Sequence, residues 1–120
     1  MSIPNEALQK LLQEIETRVI TSQQQIGVTK AQMSTKQRDI RMLELTSKEI
    51  GSLPGDTKVY EGVGRMFVAV PRVTVDKRIS TESTEIKSEI ENLEKRMNYL
   101  EMTFKNSREN LEQILKSGRA

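Results

Sequence analysis

Apolar residues along this chain fall into two long stretches spaced alternately by four and three, with a short stretch between them that alternates every second residue. In the first, Leu8, Leu12, Ile15, Val19, Ile26, Met33, Ile40, Leu43 and Ile50 hold one register. In the second, Ile79, Ile86, Ile90, Leu93, Met97, Leu100, Phe104, Leu111 and Ile114 hold another. An apolar repeat of 3.5 residues makes a helix whose stripe is a seam for a partner helix. The spacing predicts helices over about 5–50 and about 76–117. The registers also pass through Ser22, Thr29, Lys36 and Ser47, and through Ser83 and Ser107. Gly27 costs roughly 1 kcal/mol relative to Ala in a helix interior, so the first seam is expected to be weakest in its middle.

Punctuation supports these limits. Pro4 or Asn5 suits a helix start, and Ile50-Gly51 with Pro54 beyond is the order expected at a helix stop. Leu53-Pro54-Gly55-Asp56 reads as a type II turn, with Gly55 taking the positive φ. The second start has alternatives: Pro71 as its first residue, Asp76 as its cap, or Val73-Thr74-Val75 as more strand. Acid-before-base pairs four residues apart (Glu14 with Arg18, Glu44 with Lys48, Glu91 with Lys95, Glu101 with Lys105, Glu112 with Lys116) suit an exposed helix face. Two arms of similar length fold back most simply as an antiparallel coiled coil. That pairing places Ile40 near Ile86 to Leu93 and brings both ends of the chain to the tip remote from the connection. Some 45 helical residues extend about 65–70 Å, a rod too long for a compact domain.

Between the arms, Thr57 to Val75 contains the β pattern. Val59-Tyr60 and Met66 to Val70 flank Gly62-Val63-Gly64-Arg65, and paired glycines between such runs signal a hairpin. Met66, Val68 and Val70 alternate with Phe67 and Ala69, so both faces of the second strand are apolar. A lone two-stranded hairpin is marginal in water and has two unpaired edges. A sheet shared with other chains is the expected remedy.

Composition changes the picture by exclusion. Aromatics are 3% and charged residues 30% of the 120 residues, which is too little bulky apolar material for a thick core but enough for narrow seams. Without cysteine or histidine, disulfides, Cys/His zinc sites, thiol chemistry and a histidine base are excluded. The net charge of +2 is small and interspersed, which argues against a nucleic-acid face. The polar start MSIPNEALQKLLQEIE lacks a signal-peptide core, and no run approaches the ~20 apolar residues of a membrane span. A cytoplasmic chain with no membrane partner is the default expectation.

Candidate chemistry is thin. Gly62-Val63-Gly64 lacks the third glycine of a dinucleotide loop and precedes a strand rather than a helix. Glu89, Glu91 and Glu94 read as a solvated helix face rather than paired catalytic carboxylates. Arg38, Arg41, Lys95 and Arg96 are offset by acidic neighbours, and Met42, Met66, Met97 and Met102 read mainly as packing residues. No catalytic, cofactor or metal residue is assigned, and no enzyme is expected. The termini are more informative. Ile3, Leu8, Leu11 and Leu12 meet Leu111, Ile114 and Leu115 if the arms are antiparallel. Leu11 and Leu115 lie off the seam, leaving either a better-packed end or an apolar grip for another protein.

Tyr60-Glu61-Gly62-Val63-Gly64-Arg65-Met66-Phe67, set between two heptad arms, resembles the β-type subunits of the eukaryotic prefoldin chaperone, and Tyr99-Leu100-Glu101 lies at a similar distance downstream. The resemblance covers nearly the whole chain in architecture. It implies a mainly α subunit, a two-helix coiled coil whose hairpin contributes to an oligomeric β-barrel. The assembly would be a hetero-hexamer, with two α-type and three further β-type subunits as partners. It also implies a holdase that works without ATP or cofactor, gripping unfolded actin and tubulin chains and passing them to the cytosolic chaperonin. Carried over by position, Tyr60, Glu61, Gly62, Val63, Gly64, Arg65, Met66, Phe67, Val68 and Val70 would form the oligomer interface. The apolar residues near the termini would grip the client. A coiled-coil scaffold without clients and a helical nucleic-acid binder are the rival readings.

Overall fold

The computed structural model describes residues 5–118. Four elements follow one another: α1 (Asn5–Ser52), β1 (Val59–Val63), β2 (Met66–Val70) and α2 (Arg72–Gly118). The strands pair antiparallel as a hairpin between the two long helices.

The described residues divide into two compact units, residues 5–33 with 92–118, and residues 34–91. Each joins a length of α1 to a length of α2 from the opposite end of the sequence, as antiparallel pairing requires. In the first unit Ile15, Ser22, Thr29, Met97 and Leu100 are buried. Leu8, Leu12, Val19, Ile26, Met33, Leu93, Phe104, Ser107, Leu111 and Ile114 are half-buried. These are the heptad positions. Two polar places in this seam, Ser22 and Thr29, are covered as closely as its apolar core, because small side chains admit the facing helix. Thr29 is only 2% exposed, and its hydroxyl donates to the carbonyl of Gln25 at 2.7 Å.

In the second unit Ile50 is buried, and Lys36, Ile40, Leu43, Ile79, Ser83, Ile86 and Ile90 are half-buried. Lys36 Nζ lies 2.5 Å from Glu89 Oε2, within one residue of the expected alignment. That hydrogen bond, reinforced by the carboxylate's charge, raises the lysine pKa above its ordinary value. Ser47 departs from the pattern and is exposed. It lines an open groove with Leu43, Ile79 and Ser83, where two small serines leave the seam unfilled.

Several local expectations are corrected. The first helix continues through Gly51 to Ser52 rather than stopping at Ile50, and Gly51 needs no positive φ. The following turn is closed by Thr57 N–H donating to Pro54 O at 3.0 Å. Gly55 does not take a positive φ, so the turn is shifted one residue from the expected type II turn. Of the alternatives for the second helix start, the structure follows the one at Pro71, with the helix running from Arg72, and excludes the start near Asp76 and the extended strand. Thr74 and Val75 N–H both donate to Pro71 O, making Val73 to Val75 helical. Proline has no N–H to extend a strand ladder, while its fixed φ suits a helix entry. None of the five acid–base pairs along the helices forms a bridge; among the described residues the ion pairs are Lys36–Glu89 and Glu61–Arg78. Pairs four residues apart on one solvated helix face gain only a few tenths of a kcal/mol, whereas the two pairs that form join different elements of the chain.

Candidate functional site

Hairpin register follows from its turn. Val59 faces Val70, Tyr60 faces Ala69, Glu61 faces Val68, Gly62 faces Phe67 and Val63 faces Met66. That leaves Gly64-Arg65 as a two-residue loop, two residues shorter at its start than the glycine pair suggests, because Gly62 and Val63 belong to the strand. Gly64 has φ 61° and Arg65 no positive φ, the sign pattern of a type II′ turn, whose twist matches that of paired strands.

Residues directly opposite share a face, so the hairpin has two distinct sides. Val59, Glu61, Val63, Met66, Val68 and Val70 make one. Its cover fades from base to tip: Val59 and Val70 are half-buried, Val68 is 44% exposed and Met66 is 69% exposed. Tyr60, Gly62, Phe67 and Ala69 make the other side, which is open throughout. Phe67 is 78% exposed, and its ring edge lies close to Gly62, where an added Cβ would sit 3.7 Å from it. The outer backbone edges of this two-stranded sheet have no strand beside them. Such a ribbon offers apolar surface and unpaired donors and acceptors together, which is the surface another sheet completes.

Two arginines at the start of α2 tie this region down. Arg72 Nη1 donates to Leu53 O and Pro54 O, both at 3.3 Å, and Nη2 donates to Ile50 O at 2.5 Å. Arg78 donates to the Glu61 carboxylate. That bond and the arginine's charge hold the Glu61 carboxyl below its ordinary pKa. Sequence reasoning placed Glu61 on the interface and did not foresee its partner.

The described residues assigned to the tips share the first compact unit. Leu8, Leu12, Leu111 and Ile114 are half-buried in the seam, whereas Leu11 and Leu115, off the seam, are exposed. Ile3 lies outside the described residues. Of the four methionines read as packing residues, only Met97 is buried; Met42, Met66 and Met102 are exposed. Tyr99 and Val28 are exposed as well, without a heptad signal to mark them. Among the described residues no acidic, histidine or cysteine cluster is arranged to hold a metal ion, and no helix is long and apolar enough to cross a membrane.

Comparison with known proteins covers nearly the whole chain. The family described as "Prefoldin subunit" matches residues 7–118. Prefoldin subunit 1 of Mus musculus is 31% identical over 113 residues, covering 94% of this chain and 93% of its own. The probable prefoldin subunit 1 of Schizosaccharomyces pombe is 30% identical over 110 residues, with 92% and 98% covered. A crystal structure of the prefoldin beta subunit from Thermococcus strain KS-1 aligns with 29% identity and a TM-score of 0.44, over 97% of this chain and 91% of that one.

Proposed function

The chain belongs to the prefoldin subunit family, a family of chaperone components, and from that premise we propose that it is a non-enzymatic holdase subunit whose hairpin builds a hetero-hexamer and whose helix ends hold unfolded protein. The exposed, two-sided apolar hairpin carries this reading. A ribbon with Phe67 and Met66 largely in water lowers its free energy by joining other strands, and each buried apolar side chain contributes about 1.5–3 kcal/mol.

Client holding is supported by the exposed Leu11 and Leu115 beside the half-buried Leu8, Leu12, Leu111 and Ile114. Weak apolar grips from several subunits add by avidity while each contact exchanges readily, which suits a device that keeps a chain unfolded and then releases it. Actin and tubulin chains are the proposed clients, the cytosolic chaperonin the proposed recipient, and the cytoplasm the proposed compartment.

Native mass spectrometry of the tagged protein from its own cells tests assembly. The expected result is one complex of six small subunits. Suppression of aggregation of diluted, denatured actin, without ATP, tests holding. A monomer that persists alone with its hairpin amides protected from exchange would overturn the proposal.

A further inference from the structure

The start of α2 breaks a rule of helix electrostatics. Helix N-termini favour acids and C-termini favour bases, because unpaired N–H and C=O groups leave partial positive and negative charge there. Yet α2 opens on Arg72, has no acid in its first turn, and in its second sets Lys77 and Arg78 after a single acid, Asp76. Meanwhile α1 has no base in its last turn. A choice that opposes its own helix signals a role elsewhere. Here the partners are visible. Arg72 supplies the missing cation to the end of α1, donating to Ile50, Leu53 and Pro54 carbonyls. Arg78 reaches back to Glu61 on β1.

Apolar packing does little of this work. Along the strands only Val59, Glu61 and Val70 are not exposed, and the first and last of these sit at the hairpin's base. Beyond the base, Glu61 is the strand residue tied to a helix, and its bond is polar.

We infer that Arg72 and Arg78 are positioning residues that set the angle at which the hairpin leaves the helices, so that Tyr60 and Phe67 face outward for subunit assembly. This rests on the hairpin being the assembly element. Neither arginine need touch a partner subunit. Arg72 fixes the base by joining the end of α1 to the start of α2, and Arg78 holds the face opposite Tyr60 and Phe67. A shared sheet requires register and direction as well as apolar area, so a hairpin free to swing would assemble more weakly.

The test co-expresses the full chain with its partner subunits and measures its assembled fraction by native mass spectrometry across salt concentrations. The variants are Glu61→Arg, Arg78→Glu, the double exchange, Arg72→Gln, and Phe67→Ser as a probe of the outer face. Each single charge reversal is expected to weaken assembly by roughly fivefold, the scale of an exposed ion pair, with helix content unchanged by circular dichroism. The double exchange restores assembly to within about twofold, and high salt narrows the difference between single variants and parent. Arg72→Gln weakens assembly as well. A double exchange as defective as the singles, or single reversals that assemble like the parent while Phe67→Ser does not, would overturn the positioning role and leave the hairpin interface standing. Normal assembly by Phe67→Ser would overturn the interface, and the positioning role with it.

Discussion

Thr29 donates its hydroxyl to the carbonyl of Gln25, one turn back on the same helix, at 2.7 Å. The most deeply buried side chain in the seam is thus polar, and it is satisfied without help from α2. That arrangement separates two costs usually met together. The hydroxyl is not orphaned, but it brings no cross-helix bond that would favour one pairing over another.

Replacing Thr29 by Val tests this directly. The shape is kept, the rotamer stays β-branched, and the Gln25 carbonyl retains its helical N–H. Thr29→Val is expected to raise stability by about 1 kcal/mol, a rise of about 4 °C in thermal midpoint for a domain of this size. A fall in midpoint would show that the hydroxyl contributes more than its local bond.

Truncations along the seam should be ranked by burial. Leu100 is 5% exposed, while Ile90 is half-buried. Leu100→Ala is expected to cost about 2–5 kcal/mol, the range for emptying a closed core site, and Ile90→Ala distinctly less. Equal losses in urea unfolding would contradict the graded seam.

The groove beside Ser47 offers the converse. Leu43, Ile79 and Ser83 line it with Ser47, at a place where the heptad calls for an apolar residue. Ser47→Leu is expected to stabilise by about 1 kcal/mol through added apolar burial, read as a higher urea midpoint with the slope unchanged.

Much of this was legible because heptad spacing is a geometric signal. The positions from Leu8 to Ile114 that alternate by four and three are those the structure covers, polar members included, since helix periodicity fixes direction regardless of side chain. Ser47 escaped because whether a seam position is closed depends on the residue opposite, and Ser83 is small. Turn details were less legible. Gly51, Gly55 and Gly62 each permit positive φ, but only Gly64 among the described glycines uses it, since permission in a sequence is not a requirement of the backbone. Arg72 and Arg78 were hidden for another reason. Their partners lie 17–22 residues away, beyond any helical spacing, and the trace left in sequence was a base where a helix start wants an acid. Strand alternation showed that both faces of the second strand are apolar; which of them is open, the side of Tyr60 and Phe67, depends on the pairing with β1 and on what the helices cover.

Acid and alkali should act on different ties. Glu61 has a depressed pKa when folded, so its contribution is present above the unfolded value near 4.5 and is lost as pH falls through the lower, folded one. Lys36 has a raised pKa, so its contribution is full below 10.5 and is lost as pH rises past the folded value. With no histidine in the chain, stability is expected to be nearly flat between about pH 6 and 9. Thermal scans by circular dichroism read the helices, and amide exchange at Tyr60 to Val70 reads the hairpin. Acid should loosen the hairpin amides first, and a Glu61→Gln variant should remove that acid-sensitive step.

Two glycines in one hairpin make the last test a matched pair. Gly64 has φ 61°, a conformation that costs an L-residue roughly 1–2 kcal/mol. Gly62 lies in the strand, and a Cβ there would meet Phe67 Cε1 at 3.7 Å, an ordinary van der Waals contact. Gly64→Ala is therefore expected to loosen the Val63–Met66 end and accelerate amide exchange there by about tenfold, the rate equivalent of about 1.4 kcal/mol. Gly62→Ala should leave exchange unchanged or slower, because alanine has less chain entropy to lose than glycine. Equal effects from the two substitutions would mean that turn conformation does not govern this ribbon, and the assignment of Gly64-Arg65 as its turning point would fall.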